Sequence, residues 1–275
     1  AYYAIEKEIK VDWLLNYQGG SFMMKQQSDI ENECKIRDVS FQIIADIQST
    51  KILQSITSPA VNQDIVRLEK APKIAIYSPK SKQPWDDAVT MALTYAEIPY
   101  EVIYDNEVLN NLLPIYDWLH LHHEDFTGQY GKFYASFKNA TWYKEGKKDA
   151  EKLARELGFN KVSQEKLEVA KKIKEFVYGG GFLFAMCSAT DSYDIALASE
   201  GIDICAEMFD GDEMDTDIDN KLDFKKTLAF KDFSLIKNPN QYEFSSIDAT
   251  QKRRINPKVD FFTLFDFSAK WDPIP

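Results

Sequence analysis

The chain is poor in everything that would take it away from an ordinary globular protein. Its 275 residues include only 11 glycines and 10 prolines, too few for a collagen-like, low-complexity or disordered polymer. Cysteine is scarce and odd in number: Cys34, Cys187 and Cys205 cannot form a fully paired disulfide framework. One bridge plus one free thiol stays open, so cysteine usage alone does not fix the compartment. No run approaches the ~20 apolar residues of a membrane span; the longest apolar block is Phe182–Cys187. Basic residues are outnumbered, 33 Lys and Arg against 44 Asp and Glu, for a net charge of −11. A surface so acidic repels a phosphate backbone, which argues against nucleic acid as a partner. No repeat of fixed period is found.

What is present is a chain with 44% apolar and 28% charged residues, long enough to bury about 70–75% of its unfolded surface without a staple. Short β-branched or aromatic runs bounded by turn residues predict strands at Val11–Tyr17, Ser40–Asp46, Lys73–Ser78, Tyr100–Asp105, Tyr116–His122, Phe182–Cys187 and Val259–Phe267. Helical patterns lie between most of them. Trp85, Ala88, Val89, Ala92, Leu93 and Ala96 share one helix face, with Pro84, Asp86 and Asp87 at its first turn. Residues 145–157 place Lys147–Glu151, Glu151–Arg155 and Lys152–Glu156 four apart, as on a solvated helix. Over residues 164–178, Ser163 reads as the N-cap, Leu167, Ala170, Ile173 and Val177 as the buried stripe, and Gly179–Gly181 as the stop. The unbroken apolar strand that follows is expected to be covered on both faces.

Strand and helix thus alternate through residues 70–205. This predicts an α/β fold with a doubly wound, mostly parallel sheet. Three regions are expected: residues 1–70 as an N-terminal α/β elaboration that adds to the same sheet, 71–205 as the α/β core, and 206–275 as an acidic loop followed by aromatic strands. Residues 1–10 read as the end of a helix, and Trp271–Pro275 follow directly on an aromatic strand. The native chain is therefore expected to extend beyond both ends.

The sharpest local feature is Ala185-Met-Cys-Ser-Ala189, which joins the apolar strand to a predicted helix over Asp191–Ser199. A nucleophile on a tight strand–turn–helix needs small residues two before and two after it, and Ala185 and Ala189 meet that need. A helix N-terminus behind a cysteine stabilises thiolate, and the Ser188 amide could donate to an oxyanion. Asp191 and Asp194 would oppose the thiolate if they lay close. The alternative is that Cys187 is a small apolar residue filling the core.

Here the sequence resembles the class I glutamine amidotransferase-like superfamily. The resemblance covers about residues 70–205 and rests on Lys73-Ile-Ala-Ile-Tyr77, Tyr100-Glu-Val-Ile-Tyr104, Tyr116-Asp-Trp-Leu-His120, the helix at 164–178 and Gly181-Phe-Leu-Phe-Ala-Met-Cys-Ser-Ala189. It implies a three-layer, flavodoxin-like sandwich and a cysteine-dependent amidase or glutaminase chemistry without a cofactor. The superfamily elbow reads Gly-x-Cys-x-Gly and is followed by a His and a Glu. Here both elbow glycines are alanine, and no histidine follows Cys187. The chain also resembles bacterial proteins labelled "asparagine synthetase B", through Val11–Tyr17, Gln83–Asp87, Leu119–Tyr134 and Gly180–Asp191. That resemblance implies a leader peptide and so an extracytoplasmic, periplasmic location. The chain carries no Ser-Gly-Gly-x-Asp-Ser pyrophosphate loop and so does not match the chemistry of that label.

All three histidines, His120, His122 and His123, fall within Leu119–Gly128. They sit at the carboxyl end of a predicted strand, where open α/β sheets bind ligands. If this strand neighbours the one ending at Cys187, His122 or His123 would be the base, with Glu124 or Asp125 to orient it. Thr127 and Gly128 stand where the superfamily has its oxyanion loop. A weaker alternative is a metal held by His120, His122, Glu124 and Asp125; another is imidazoles that merely pin the loop. Asp210–Asp219 alternates acids as calcium loops do, without their glycine and terminal glutamate spacing. Lys80 and Lys82 precede a predicted helix and would suit an anion, and Phe261, Phe262, Phe265 and Phe267 are expected to pack in a core. Two functions follow. One is a cysteine-dependent amidohydrolase or amidotransferase-like protein acting on a small amide. The other is a non-catalytic cell-envelope protein that binds a ligand or a protein partner on the same fold.

Overall fold

The structure, a computed structural model, describes residues 1–79, 88–248, 256–258 and 261–264. The chain divides into two units, one spanning residues 1–72 and one spanning 73–266.

In the first unit, α1 (Tyr2–Glu6) leads into β1 (Val11–Leu15), which pairs antiparallel with β2 (Ser21–Met24) on one side and β3 (Asp64–Leu68) on the other. Ala4, Ile5, Ile9 and Val11 form its small core, with Met24, Ile30 and Leu68 against them. Between β2 and β3 run α2 (Ser28–Ile36) and α3 (Asp46–Ile56), whose only buried residue is Ile56. Two expectations fail here. Ser40–Asp46 is not a strand: Phe41 and Ile43 are exposed, and Asp46 opens α3. Nor does this region extend the second unit's sheet, because β2-β1-β3 is a separate sheet.

The second unit is built on four parallel strands: β4 (Ile74–Tyr77), β5 (Tyr100–Ile103), β6 (Trp118–Leu121) and β7 (Phe182–Ala185), in the order β5-β4-β6-β7. Every residue of β4 is buried, as a central strand covered on both faces requires. Ile74 and Ile76 face α4 (Ala88–Tyr95) through Leu93. Ala75 and Tyr77, with Leu119 and Leu121 of β6, face the opposite side. There they meet α5 (Asp105–Leu109), α8 (Val162–Tyr178) and α9 (Ala189–Ala198). Helices on both faces of a parallel sheet make this an α/β fold compatible with three layers. The parts of the predicted strand Val259–Phe267 and helix 84–96 at 84–87, 259–260 and 265–267 lie outside the described residues, as do Lys80 and Lys82.

The predicted helix at 164–178 starts at Val162, with Lys161 as its cap, so Ser163 is inside it. Its buried face is Val162, Lys166, Val169, Ala170, Ile173 and Phe176, and Leu167 and Val177 are only partly buried. Gly179 caps it, and Gly180 takes φ 98 as the chain turns into β7. On α7 (Thr141–Glu156), Lys147–Glu151 and Lys152–Glu156 approach to 3.8 and 3.7 Å; α6 (Tyr134–Phe137) precedes it. The expectation that β7 is covered on both faces is wrong. Among the described residues β7 is an edge strand, and Phe182 and Phe184 are 64% and 41% exposed.

After α9 the chain forms α10 (Glu207–Asp210), α11 (Ile218–Lys221) and the short pair β8 (Phe230–Lys231) and β9 (Thr263–Leu264). This region packs on the back of α9, where Ile195 and Ala198 meet Ile204, Ile218, Phe233 and Phe244. Phe261 and Phe262 are exposed rather than core residues; Phe265 and Phe267 lie outside the described residues.

Candidate functional site

β6 and β7 are neighbours in register, His120 opposite Phe184 and Leu121 opposite Ala185, so their carboxyl ends open at the same rim. The backbone then keeps the two exits together. Met186 donates to the Leu121 carbonyl at 2.9 Å, and Ala189 to the His122 carbonyl at 3.2 Å. The Ser188 and Ser192 hydroxyls donate to the carbonyls of His123 and Glu124, each at 2.9 Å. The histidine segment is thus stitched along the first turn of α9.

Cys187 stands at the head of this junction. It is exposed, with φ 50, in the left-handed region that a residue with a Cβ adopts only under local constraint. It does not fill the core. Cys205 does: it is fully buried, burial pushes its thiol well above the ordinary value, and its S–H points at the Thr127 carbonyl, 3.2 Å away. The Ser188 amide begins α9 with no acceptor among the described residues. Asp191 and Asp194 are committed elsewhere. Asp194 accepts the amides of Leu228, Ala229 and Phe230 at 2.6–2.8 Å. Asp191 accepts the Ser245 hydroxyl at 2.8 Å, and burial raises it to about 7. Both carboxylates tie the post-α9 region to the helix.

The imidazoles are ordered but not equivalent. His120 is fully buried, with Nδ1 at 3.2 Å from the Phe184 carbonyl, so it ties β6 to β7. His122 and His123 are partly buried, with ring centroids 3.6 Å apart. Glu124 accepts the His122 amide at 2.8 Å. Asp125 takes the amides of Thr127 and Gly131 at 2.7 and 2.9 Å and the Thr127 hydroxyl at 2.5 Å; burial nevertheless raises its pKa. The Thr127 amide is therefore already used by Asp125. Gly128 is needed for another reason: at φ 82, a Cβ there would lie 2.8 Å from the Ser163 backbone nitrogen. His120, His122, Glu124 and Asp125 do not gather as a metal centre. Among the described residues the ligand types converge only at Asp203, Cys205 and Asp210, within 4.8 Å of one another. The Lys161 ammonium stands there, 2.6 Å from Asp203, 3.0 Å from Asp210 and 2.6 Å from Asp212. That lysine answers the acidic run's charge. Asp217 and Asp219 instead bond Asn220 and the Leu235 amide, so the run is not shaped as a calcium loop.

A cleft of about 660 Å³ opens beyond the carboxyl ends of β4, β5 and β6. The order β5-β4-β6 reverses direction between β4 and β6, the point where open α/β sheets leave a crevice. His122, His123, Glu124 and Asp125 form part of its wall, and Cys187 does not. Tyr242 stands between the two in its interactions. Burial and the nearby Cys187 push that phenol up to about 12, and its ring lies 5.7 Å from the ring of Phe133, a wall residue.

At the bottom of the cleft is a group that motif reading missed. Lys166 donates to both oxygens of Asp105, at 2.8 and 2.6 Å, and to the hydroxyls of Tyr77 and Tyr104, each at 3.0 Å. The Tyr77 hydroxyl donates to Asp105 in turn. Burial opposes the ammonium charge, but Asp105 and the phenols outweigh it and hold the pKa above its ordinary value. Glu165 beside it is raised to about 8 by burial, against the pull of Lys166. One sequence signal was available: Lys166 falls on the apolar stripe of α8, four residues after Val162 and three before Val169.

Comparison of the chain with protein-family models, with curated proteins and with solved structures finds no match.

Proposed function

We propose that this protein is a cysteine-dependent amidohydrolase-like protein on an amidotransferase-like α/β fold, acting on the carbon–nitrogen bond of a small amide. The observation that carries the reading is Cys187 itself: exposed, at φ 50, on a strand-to-helix turn stitched to the histidine segment. The strand order, second-first-third-fourth in chain order, is also the beginning of the doubly wound flavodoxin-like order.

In this reading His123 or His122 takes the thiol proton and the Cys187 sulfur attacks the amide carbon. The Ser188 amide holds the oxyanion. The C–N bond breaks as the imidazolium returns its proton to the leaving nitrogen, which leaves a thioester for water to hydrolyse. Asp125 holds the Thr127 amide, so Thr127 borders the site rather than donates to the oxyanion, while Gly128 lines the cleft. The test is ammonia release from glutamine, asparagine and benzamide, with intact-mass detection of an acyl adduct after acid quench. Turnover lost in Cys187→Ser, together with an adduct on the native chain, supports the reading. No turnover and no adduct with any amide contradicts it.

A second reading is favoured by the cleft wall, which omits Cys187. It makes the chain a non-catalytic binding protein of the cell envelope. It expects ligand or partner binding unchanged in Cys187→Ser.

A further inference from the structure

We infer that the cleft at the carboxyl ends of β4, β5 and β6 binds an uncharged, ring-bearing carboxamide, whose carbonyl oxygen accepts from the hydroxyls of Tyr104 and Tyr143. This goes beyond the reading above: it concerns a cleft whose wall omits Cys187, and it claims binding there, not cleavage.

Three observations lead there. The first is size and place. A cleft of about 660 Å³ falls within the ~300–1,000 Å³ of small-molecule sites, and it opens at the topological switch point.

The second is an inventory of protons. The Lys166 ammonium is used up on Asp105, Tyr77 and Tyr104, and the proton of Tyr77 goes to Asp105. Tyr104 accepts from the ammonium, and its own proton has no acceptor among the described residues. A hydroxyl that accepts from a cation is a stronger donor toward the next acceptor. Tyr143, also on the wall, is 6% exposed, and its hydroxyl is buried with no partner among the described residues. A buried donor without an acceptor is rare and points to a group that is supplied from outside. A carbonyl oxygen, with two lone pairs and no charge, is the acceptor such phenols lack.

The third is charge and shape. Lys166 is neutralised by Asp105. Lys147 is turned to the Met208 carbonyl at 3.0 Å and to Glu151. An anionic ligand therefore finds no unspent cation among the described wall residues, while Glu145 and Asp149 on the same wall repel it. The half-buried Trp142, on the same wall and packed edge-on against Tyr143 with ring centroids 5.9 Å apart, offers a flat apolar partner a ring contact.

The experiment is binding by saturation-transfer NMR and calorimetry, on the whole chain, with four probes of one shape: benzamide, benzoate, benzylamine and phenyl phosphate. Benzamide is expected to bind at least about tenfold more tightly than each charged probe. Tyr104→Phe and Tyr143→Phe are each expected to weaken benzamide by about tenfold, the scale of one polarised hydrogen bond. Cys187→Ser should leave benzamide affinity unchanged. Tighter binding of any charged probe, no saturable benzamide binding at millimolar concentrations, or full affinity in both phenylalanine variants overturns the proposal. Tyr143→Phe, which removes no bond present in the free protein, keeps the test meaningful if Tyr104→Phe proves poorly folded. Benzamide binding with no turnover of glutamine, asparagine or benzamide would remove the amidase reading and leave this one. Turnover of glutamine without benzamide binding would do the reverse.

Discussion

The ammonium of Lys166 and the thiol of Cys187 lie at the same rim of the four-stranded sheet, but they are held in opposite ways. Lys166 is buried, with four bonds to three residues. Cys187 is exposed, in a strained backbone conformation; its carbonyl accepts the Thr190 amide at 3.1 Å, and its side chain makes no hydrogen bond among the described residues. The buried centre fixes where β4 and β5 end relative to the start of α8. The exposed one leaves its sulfur open to solvent. Removing the first should therefore unfold the rim, whereas removing the second should leave the fold alone and, under the proposed function, stop turnover.

The largest effect is expected from Lys166→Met. It strands Asp105 and Glu165 in a buried site, at a cost of about 3–5 kcal/mol by urea denaturation. Adding Asp105→Leu should restore most of that loss, because an apolar pair avoids the desolvation of an unpaired charge. A single variant that unfolds no more easily than the native chain would break the comparison. Next comes Asp194→Ala, which deprives three amides at Leu228–Phe230 of their acceptor; about 2–3 kcal/mol should be lost. Gly128→Ala should cost about 1–3 kcal/mol, since the methyl meets the Ser163 backbone in a positive-φ position. At the small end, Cys187→Ser should shift stability by no more than about 0.5 kcal/mol while abolishing alkylation at that site.

The buried acids add a pH dependence of definite sign. Asp191 is raised from 3.8 to about 7, and Glu165 from 4.5 to about 8. Between those values the folded chain holds protons that the unfolded chain has released. Their contribution is full below about pH 4 and falls as the pH rises toward 7–8. Asp191→Asn should remove its share of that fall, seen as a flatter plot of Tm against pH over this window. A slope unchanged by the substitution would show that Asp191 ionises as freely in the folded chain as in the unfolded one.

Much of the second unit was legible in the sequence because its signals are local. Ile74–Tyr77, Tyr100–Ile103 and Phe182–Ala185 are short apolar runs, and α8 carries a long stripe closed by glycine. Small residues on either side of Cys187 marked the turn, whereas the histidine segment was expected beside it only if its strand neighboured β7, which the sheet order shows. The expectations that failed depended on what lies across space. Ser40–Asp46 has β-branched residues but no strand to pair with among the described residues. β7 is apolar, yet it lies at a sheet edge. Asp125 looked like a partner for an imidazole, but its bonds are to the amides of its own loop. The Lys166 centre joins residues 61 and 89 positions apart, and no spacing motif announces such a group; only a lysine on an apolar stripe hinted at it.

The most direct test of the account is the rate of iodoacetamide alkylation at each cysteine at neutral pH, followed by peptide mass spectrometry on the folded chain. Cys187 is expected to react faster than Cys34 and faster than free N-acetylcysteine, while Cys205 stays unmodified until the chain unfolds. A Cys187 no more reactive than N-acetylcysteine would contradict the claim that this turn presents a nucleophile.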